Sequence, residues 1–236
     1  METQSPKSIP NGLFIVLDGA DGTGKSTCVP LIKKYFDDKG YTTLTTKEPG
    51  GCPASEAIRS VLLSQEMSPQ AQILLAWAAR MEHLKNTIIP ALKRGEVVIC
   101  DRFWDSTWVY QVAMDKVSHK ESIPIFEEHV ASVMNLLLKV GKTVPDLTIF
   151  LTADRVVTEG RRRARNASNG TDVFEAKPES YHADVAAFFR DQLEAYHEME
   201  DEEKWKIKGV DSTFSVEETW VEIEKILDAH LAGIGR

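Results

Sequence analysis

The chain has 236 residues, a formal net charge of −8, and 42% hydrophobic against 27% charged side chains, a length that supports one substantial core and is short for two. The acidic balance argues against a clamp on duplex nucleic acid, which needs a basic surface, and no apolar run approaches the span of a bilayer. Cys28, Cys52 and Cys100 are odd in number and lack metal-ligand spacing, so neither a disulfide framework nor a zinc site follows. Residues 1–12 are polar, proline-containing and without the apolar centre of a signal peptide. The expectation is a soluble, cytoplasmic protein with a flexible segment over residues 1–12 and a single domain over residues 13–236.

The apolar run of residues 13–17 leads into Gly19-Ala20-Asp21-Gly22-Thr23-Gly24-Lys25-Ser26, which fits the P-loop pattern of glycine, four residues, then Gly-Lys-Ser/Thr. A loop wrapped around phosphates points successive backbone N–H groups inward, and that asks for dihedrals glycine reaches without penalty. The helix that follows adds the positive end of its dipole. Gly19, Asp21, Gly22, Thr23, Gly24, Lys25, Ser26 and Thr27 are therefore the candidate nucleotide-binding residues. Lys25 reaches the terminal phosphates, and Ser26 offers its hydroxyl to Mg²⁺.

Residues 25–39 read as a helix with Val29, Leu31, Ile32, Tyr35 and Phe36 on one side and Gly40 as its stop. Pro30 inside it predicts a kink or an irregular turn. A threonine-rich strand over 41–46 runs into the turn chemistry of Lys47-Glu48-Pro49-Gly50-Gly51. Helices follow over 53–63 and 68–93, the second with Ile73, Leu74, Trp77, Met81, Leu84 and Ile88 on one stripe and with Arg80 on another face beside Ala76 and His83. Residues 96–100 form a continuous apolar strand, as expected when both faces of a parallel sheet are covered, and deliver Asp101-Arg102-Phe103 at its end.

Next come a helix over 106–114, a polar loop over 115–124, an amphipathic helix over 126–140 and a strand over 147–151. The basic stretch 155–165 leads into residues 166–171, which have loop composition. A helix over 181–199, a strand over 205–210 and a helix over 215–231, capped by Ser215 with Glu218 three residues on, close the chain. Five strands alternating with helices predict an α/β doubly wound sheet. Ligands of such sheets bind at the carboxyl ends of the strands, so the P-loop, residues 47–51 and Asp101-Arg102 share one rim.

The P-loop with Leu17-Asp18, Lys47-Glu48-Pro49-Gly50-Gly51, Ala78-Ala79-Arg80, Asp101-Arg102-Phe103 with Ser106 and Tyr110-Gln111, and Pro145-Asp146-Leu147-Thr148 together resemble the thymidylate kinase family in identity, order and spacing. The resemblance covers nearly the whole chain. It implies the P-loop nucleoside monophosphate kinase fold, a five-stranded parallel sheet with an arginine-bearing lid over about residues 155–176. It also implies Mg²⁺-dependent transfer of the γ-phosphoryl group of ATP to the 5′-phosphate of dTMP, small nucleotides as partners, and a homodimer formed through a helix such as 126–140 or 68–93.

By the same resemblance Lys25, Asp21, Arg102, Arg161 and Arg163 are catalytic. Asp101 joins Ser26 at the metal, and Arg102 grips the acceptor phosphate with a planar fork. Asp21, otherwise a turn-forming aspartate, faces the acceptor or the arginine. Gly22 stands where one branch of the family has an arginine, so the lid is expected to supply the transition-state cation from among Arg161, Arg162, Arg163 and Arg165, two of which belong to a solvated face. The implied substrate-binding residues are Glu48, Pro49, Arg80, Arg102, Ser106, Thr107, Tyr110 and Gln111. Ala76 replaces the family's base-stacking phenylalanine, leaving Trp77, equally readable as core, and Trp108 as stacking candidates. Lys47 and Val173 replace arginines. Ala76 motivates an alternative acceptor, another deoxynucleoside monophosphate such as a 5-substituted deoxyuridine monophosphate, and a P-loop ATPase switch is the reading from another class.

Overall fold

Six successive buried residues, Leu13–Asp18, form β1, the centre of the sheet. The computed structural model describes residues 7–114, 144–169, 172–198 and 207–234. Around β1 lie β2 (Thr43–Lys47), β3 (Val97–Asp101), β4 (Leu147–Thr152) and β5 (Ile207–Asp211), in the order β2-β3-β1-β4-β5 with every neighbouring pair parallel. The continuous apolar character of β1 follows from cover on both faces. Leu13, Ile15 and Leu17 pack with Ile32 and Phe36 of α1 (Lys25–Asp38) and with Ile223 and Leu227 of α8 (Val216–Ile234). Phe14 and Val16 face the other way, onto Val98, Cys100, Leu84 and Ile88.

Register brings the functional ends together: Leu17 of β1 and Lys47 of β2 both pair with Asp101 of β3. Between β2 and β3 run α2 (Pro53–Ser64), α3 (Pro69–His83), a π turn over Leu84–Ile88 and α4 (Ile89–Lys93). The single helix expected over 68–93 thus carries one widened turn. Pro90 sits at its exit, where it has no N–H to give a carbonyl one turn back. After β3 come α5 (Trp104–Thr107) and a second π turn, Trp108–Ala113, which carries Tyr110 and Gln111. The expected loop 115–124 and helix 126–140 lie outside the described residues.

Two expectations differ from what is observed. Pro30 does not interrupt α1, which runs unbroken with the proline on its exposed side. Residues 155–169 form one helix, α6 (Arg155–Asn169), so the expected loop from residue 166 begins later. Its amphipathicity is one of charge, with few apolar residues to reveal the period; Arg155 Nε meets Glu159 Oε1 at 2.6 Å one turn on. The remaining helix, α7, spans Glu179–Glu198. The described part of the leader is tied down: Lys7 N–H donates to Gly40 O at 2.8 Å, Ile9 N–H donates to Gly95 O at 3.1 Å, and the Ile9 side chain enters the core. Among the described residues the three cysteines are free and buried, no trio of His, Cys, Asp or Glu is gathered as a metal cluster, and no helix is long and apolar enough to cross a membrane.

Candidate active site

The P-loop bends by three left-handed glycines, Gly19 (φ 136°), Gly22 (φ 87°) and Gly24 (φ 89°). At Gly19 any side chain is excluded, since a Cβ would stand 2.3 Å from Leu151 O. Lys25, buried at the first turn of α1, folds its Nζ back onto the carbonyl oxygens of Gly19 and Ala20, each at 2.8 Å. Burial lowers its pKa and the Arg102 charge lowers it further, and nearby Asp101, Asp21 and Asp18 offset only part, leaving it at about 8. Ser212, just past β5, ties the loop down by donating to Thr23 O at 2.7 Å. Ser26 and Thr27 remain exposed and line the cavity.

Arg102 occupies the rim beside that loop, at φ 72°. Its Nη1 donates to Gly19 O (2.9 Å) and Ser106 Oγ (2.8 Å), and its Nη2 to Asp21 Oδ1 (2.7 Å). Tyr110 OH donates to the other Asp21 oxygen at 2.9 Å. Beneath them Asp18, fully buried, accepts from Ser106 Oγ (2.6 Å) and from the backbone N–H groups of Gly19, Phe103 and Ser106. Asp18 therefore clamps the P-loop to the loop after β3. Motif reading passed over it, although a carboxylate ending an apolar strand signals a buried partner set. Asp101 Oδ1, at the end of β3, is buried with no hydrogen-bond partner among the described residues. That orphan oxygen and the exposed Ser26 hydroxyl are the hard donors a magnesium ion takes.

The other end of the cavity is organised by Arg80. Its Nε donates to Glu48 Oε2 at 2.6 Å, its Nη2 to Thr107 Oγ1 at 3.0 Å, and the guanidinium lies over the rings of Trp77 and Phe103 at 4.7 and 5.0 Å. Its Nη1 is buried and has no partner among the described residues. Ala76, Pro49, Gln111 and Thr107 line the cavity with it. Trp77 does not. It is packed among Ile73, Leu84 and Phe103, so its expected substrate contact is corrected to a core position that supports Arg80 from behind. Trp108 is likewise outside the lining, whose aromatic rings are Phe103, Tyr110 and Phe174.

The lid arginines divide by face. Arg161 Nη1 approaches Gly22 O at 3.4 Å, and Arg165, one turn on, lies 3.9 Å from Asp21 and pairs with Glu175 at 2.6 Å; both line the cavity. Arg162 is turned inward against Glu179. Arg163, expected among the catalytic residues, is 70% exposed and pairs with Glu159 and Glu179 away from the cavity. Spacing is the reason: positions 161 and 165 share one helix face and 163 lies on another. Motif reading also missed Arg59, whose Nη1 donates to Pro49 O at 2.8 Å on the cavity wall.

The P-loop, Arg102, Arg80, Arg161 and Arg165 border one cavity of about 620 Å³, reaching from Ser212, Val216 and Thr219 past the P-loop to Ala76 and Arg80. Within an acidic chain it gathers Lys25, Arg59, Arg80, Arg102, Arg161 and Arg165. Such a surface suits two phosphorylated ligands meeting end to end.

The chain is similar to known proteins over most of its length. The family model described as thymidylate kinase matches residues 17–223. A thymidylate kinase of Gluconobacter oxydans (strain 621H) is 41% identical over 180 residues, 75% of this chain and 79% of its own. One from Neisseria gonorrhoeae (strain NCCP11945) is 36% identical over 220 residues, 92% of this chain and 97% of its own. The crystal structure of thymidylate kinase from Ehrlichia chaffeensis shares the fold with a TM-score of 0.66 at 22% identity, covering 92% of this chain and all of that one.

Proposed function

The chain belongs to the thymidylate kinase family, and on that premise we propose that it transfers the γ-phosphoryl group of ATP to the 5′-phosphate of dTMP, giving dTDP and ADP. Phosphoryl transfer passes through a loose, charge-rich transition state, so the protein's work is to position both nucleotides and neutralise charge. Lys25 and the N–H groups of the P-loop hold the donor phosphates, the lysine exchanging its two carbonyl partners for phosphate oxygens. Ser26 and Asp101 would hold Mg²⁺, whose charge at the donor phosphates offsets that of the polyanion.

Arg102 holds the acceptor phosphate, one oxygen of which attacks the γ-phosphorus as the bond to the β-phosphate oxygen breaks. Asp21 keeps the guanidinium in place, and Arg161 with Arg165 brings lid charge to the transferring group. Arg80, with Thr107 and Gln111 beside it, takes the base edge, and Tyr110 crowds the sugar. The observation that carries this reading is Arg80, which lines the cavity and whose buried Nη1 has no partner among the described residues. An ATPase using water as acceptor has no use for it.

The test is ATP consumption by the purified protein with Mg²⁺, comparing each deoxynucleoside monophosphate, UMP and 5-substituted deoxyuridine monophosphates. Strong stimulation by dTMP is expected. Preference for another base overturns the named acceptor, and indifference to every monophosphate overturns the kinase. We also infer a homodimer, supported by Val61 and Leu74, exposed at 44% and 62% on the contacting helices α2 and α3. A cytoplasmic location is supported by the three free cysteines, and the acidic balance of the chain supports the reading without a nucleic-acid partner.

A further inference from the structure

We propose that His83 and Glu48 form a positioning pair which sets base selectivity by holding the guanidinium of Arg80 in one orientation. The proposal rests on the cavity being a monophosphate acceptor site. Glu48, Arg80 and His83 are 3%, 3% and 0% exposed, so their polar atoms must satisfy one another. Glu48 divides its oxygens: Oε2 takes Arg80 Nε at 2.6 Å, and Oε1 faces His83 Nδ1 at 3.1 Å. An ionised carboxylate only accepts, so the proton of that contact sits on Nδ1. Nε2 then lies 2.7 Å from Thr46 Oγ1, whose hydroxyl donates to it. The ring is thus held at both nitrogens, and it prevents the carboxylate from rotating.

The surrounding backbone is shaped to admit the ring. His83 stands three residues beyond Arg80 on α3, the spacing that places both on one face. Gly51, at φ 84°, approaches so closely that a Cβ there would stand 2.3 Å from Nε2. Thr87 Oγ1 donates to Gly51 O at 2.8 Å and fastens that loop to the π turn. With Nε taken by Glu48 and Nη2 by Thr107, and with the rings of Trp77 and Phe103 against it, the guanidinium has no freedom to turn.

A donor held so firmly requires an acceptor from the ligand. Thymine carries a carbonyl oxygen at position 4, whereas cytosine carries an amino group there and would set donor against donor. Releasing the His83 clamp lets Arg80 swing away from that clash. Discrimination then falls while donor binding is untouched.

The test compares His83→Leu, His83→Asn, whose amide nitrogen replaces Nδ1, and Thr46→Val with the wild type in kcat/KM for dTMP and dCMP and in KM for ATP. In His83→Leu the dTMP-to-dCMP ratio is expected to fall about 10- to 100-fold, the worth of a hydrogen bond to a charged group. KM for ATP stays unchanged, and His83→Asn recovers most of the ratio. A merely structural histidine lowers stability and leaves the ratio alone, and that result overturns the proposal. Should His83→Leu fail to fold, Thr46→Val decides: a smaller fall supports the clamp and an unmoved ratio overturns it. A wild type indifferent to every monophosphate defeats the acceptor-site reading instead. Two-bond ¹H–¹⁵N spectra of the wild-type ring are independent of turnover, and a ring protonated at Nε2 alone overturns the pair.

Discussion

At the scale of the residue, the site is a balance of buried charges, each made tolerable by its neighbours. Burial pushes the Asp21 pKa up, but Arg102, Lys25, the Tyr110 hydroxyl and Arg165 together hold it well below the usual carboxylate range. Asp105, three residues beyond Arg102, has the opposite environment. Its Oδ1 accepts from Gln192 Nε2 at 2.7 Å and from Tyr196 OH at 2.9 Å. Burial first and the Asp18 carboxylate second raise its pKa from 3.8 to about 8. Between those values the folded state binds a proton that the unfolded chain has released, so this group's contribution to stability is lost as pH rises. Asparagine keeps the accepting oxygen and cannot ionise. Thermal unfolding of Asp105→Asn and the wild type from pH 4 to 9 is therefore expected to show profiles that diverge across this window, the variant gaining on the order of a few kcal/mol at its upper end. Parallel profiles would mean that Asp105 is ionised in the folded protein.

At the scale of the element, helix α6 presents different arginines to different surroundings. Arg161 and Arg165 line the cavity one helical turn apart, and Arg163 is solvated. Exposed ion pairs contribute little, so Arg163→Ala is expected to leave kcat within about twofold. Arg161→Ala or Arg165→Ala lowers kcat by about tenfold or more, with a smaller change in ATP affinity, if the lid acts at the transition state. Steady-state kinetics of the three variants checks this. Equal defects in all three would return the exposed side of the helix to the mechanism. The last helix, α8, followed local sequence rules closely. Glu218 N–H donates to Ser215 Oγ at 3.1 Å, and Ser215 N–H donates to Glu218 Oε2 at 3.0 Å, the reciprocal box expected from a serine and a glutamate three residues apart.

At the scale of the whole molecule, the parallel sheet brings three separate carboxyl ends to one rim, and α2 and α3 leave Val61 and Leu74 exposed on the outside. A homodimer through this face predicts a sedimentation mass twice the 26.4 kDa of the chain. Leu74→Glu, which would bury a charge in such a contact, is expected to shift it to the monomer. A monomeric wild type removes the dimer.

Sequence by itself determined what depends on neighbours along the chain. The P-loop glycines, the capped helix and the strands as apolar runs were legible because backbone dihedrals, capping and side-chain period act over a few residues. The P-loop and Asp101-Arg102 were legible for the same reason, as motifs carried at strand ends, whereas Arg80 lies on α3 and Tyr110 and Gln111 on a π turn, and these were given roles only through the family resemblance. Tertiary structure alone decided what depends on residues far apart in sequence: the strand order, Asp18 as the clamp beneath Arg102, Trp77 as core, and His83 held between Thr46 and Glu48. A buried polar atom must find its partner wherever folding brings one within about 3 Å, and that distance is set by packing across the sheet.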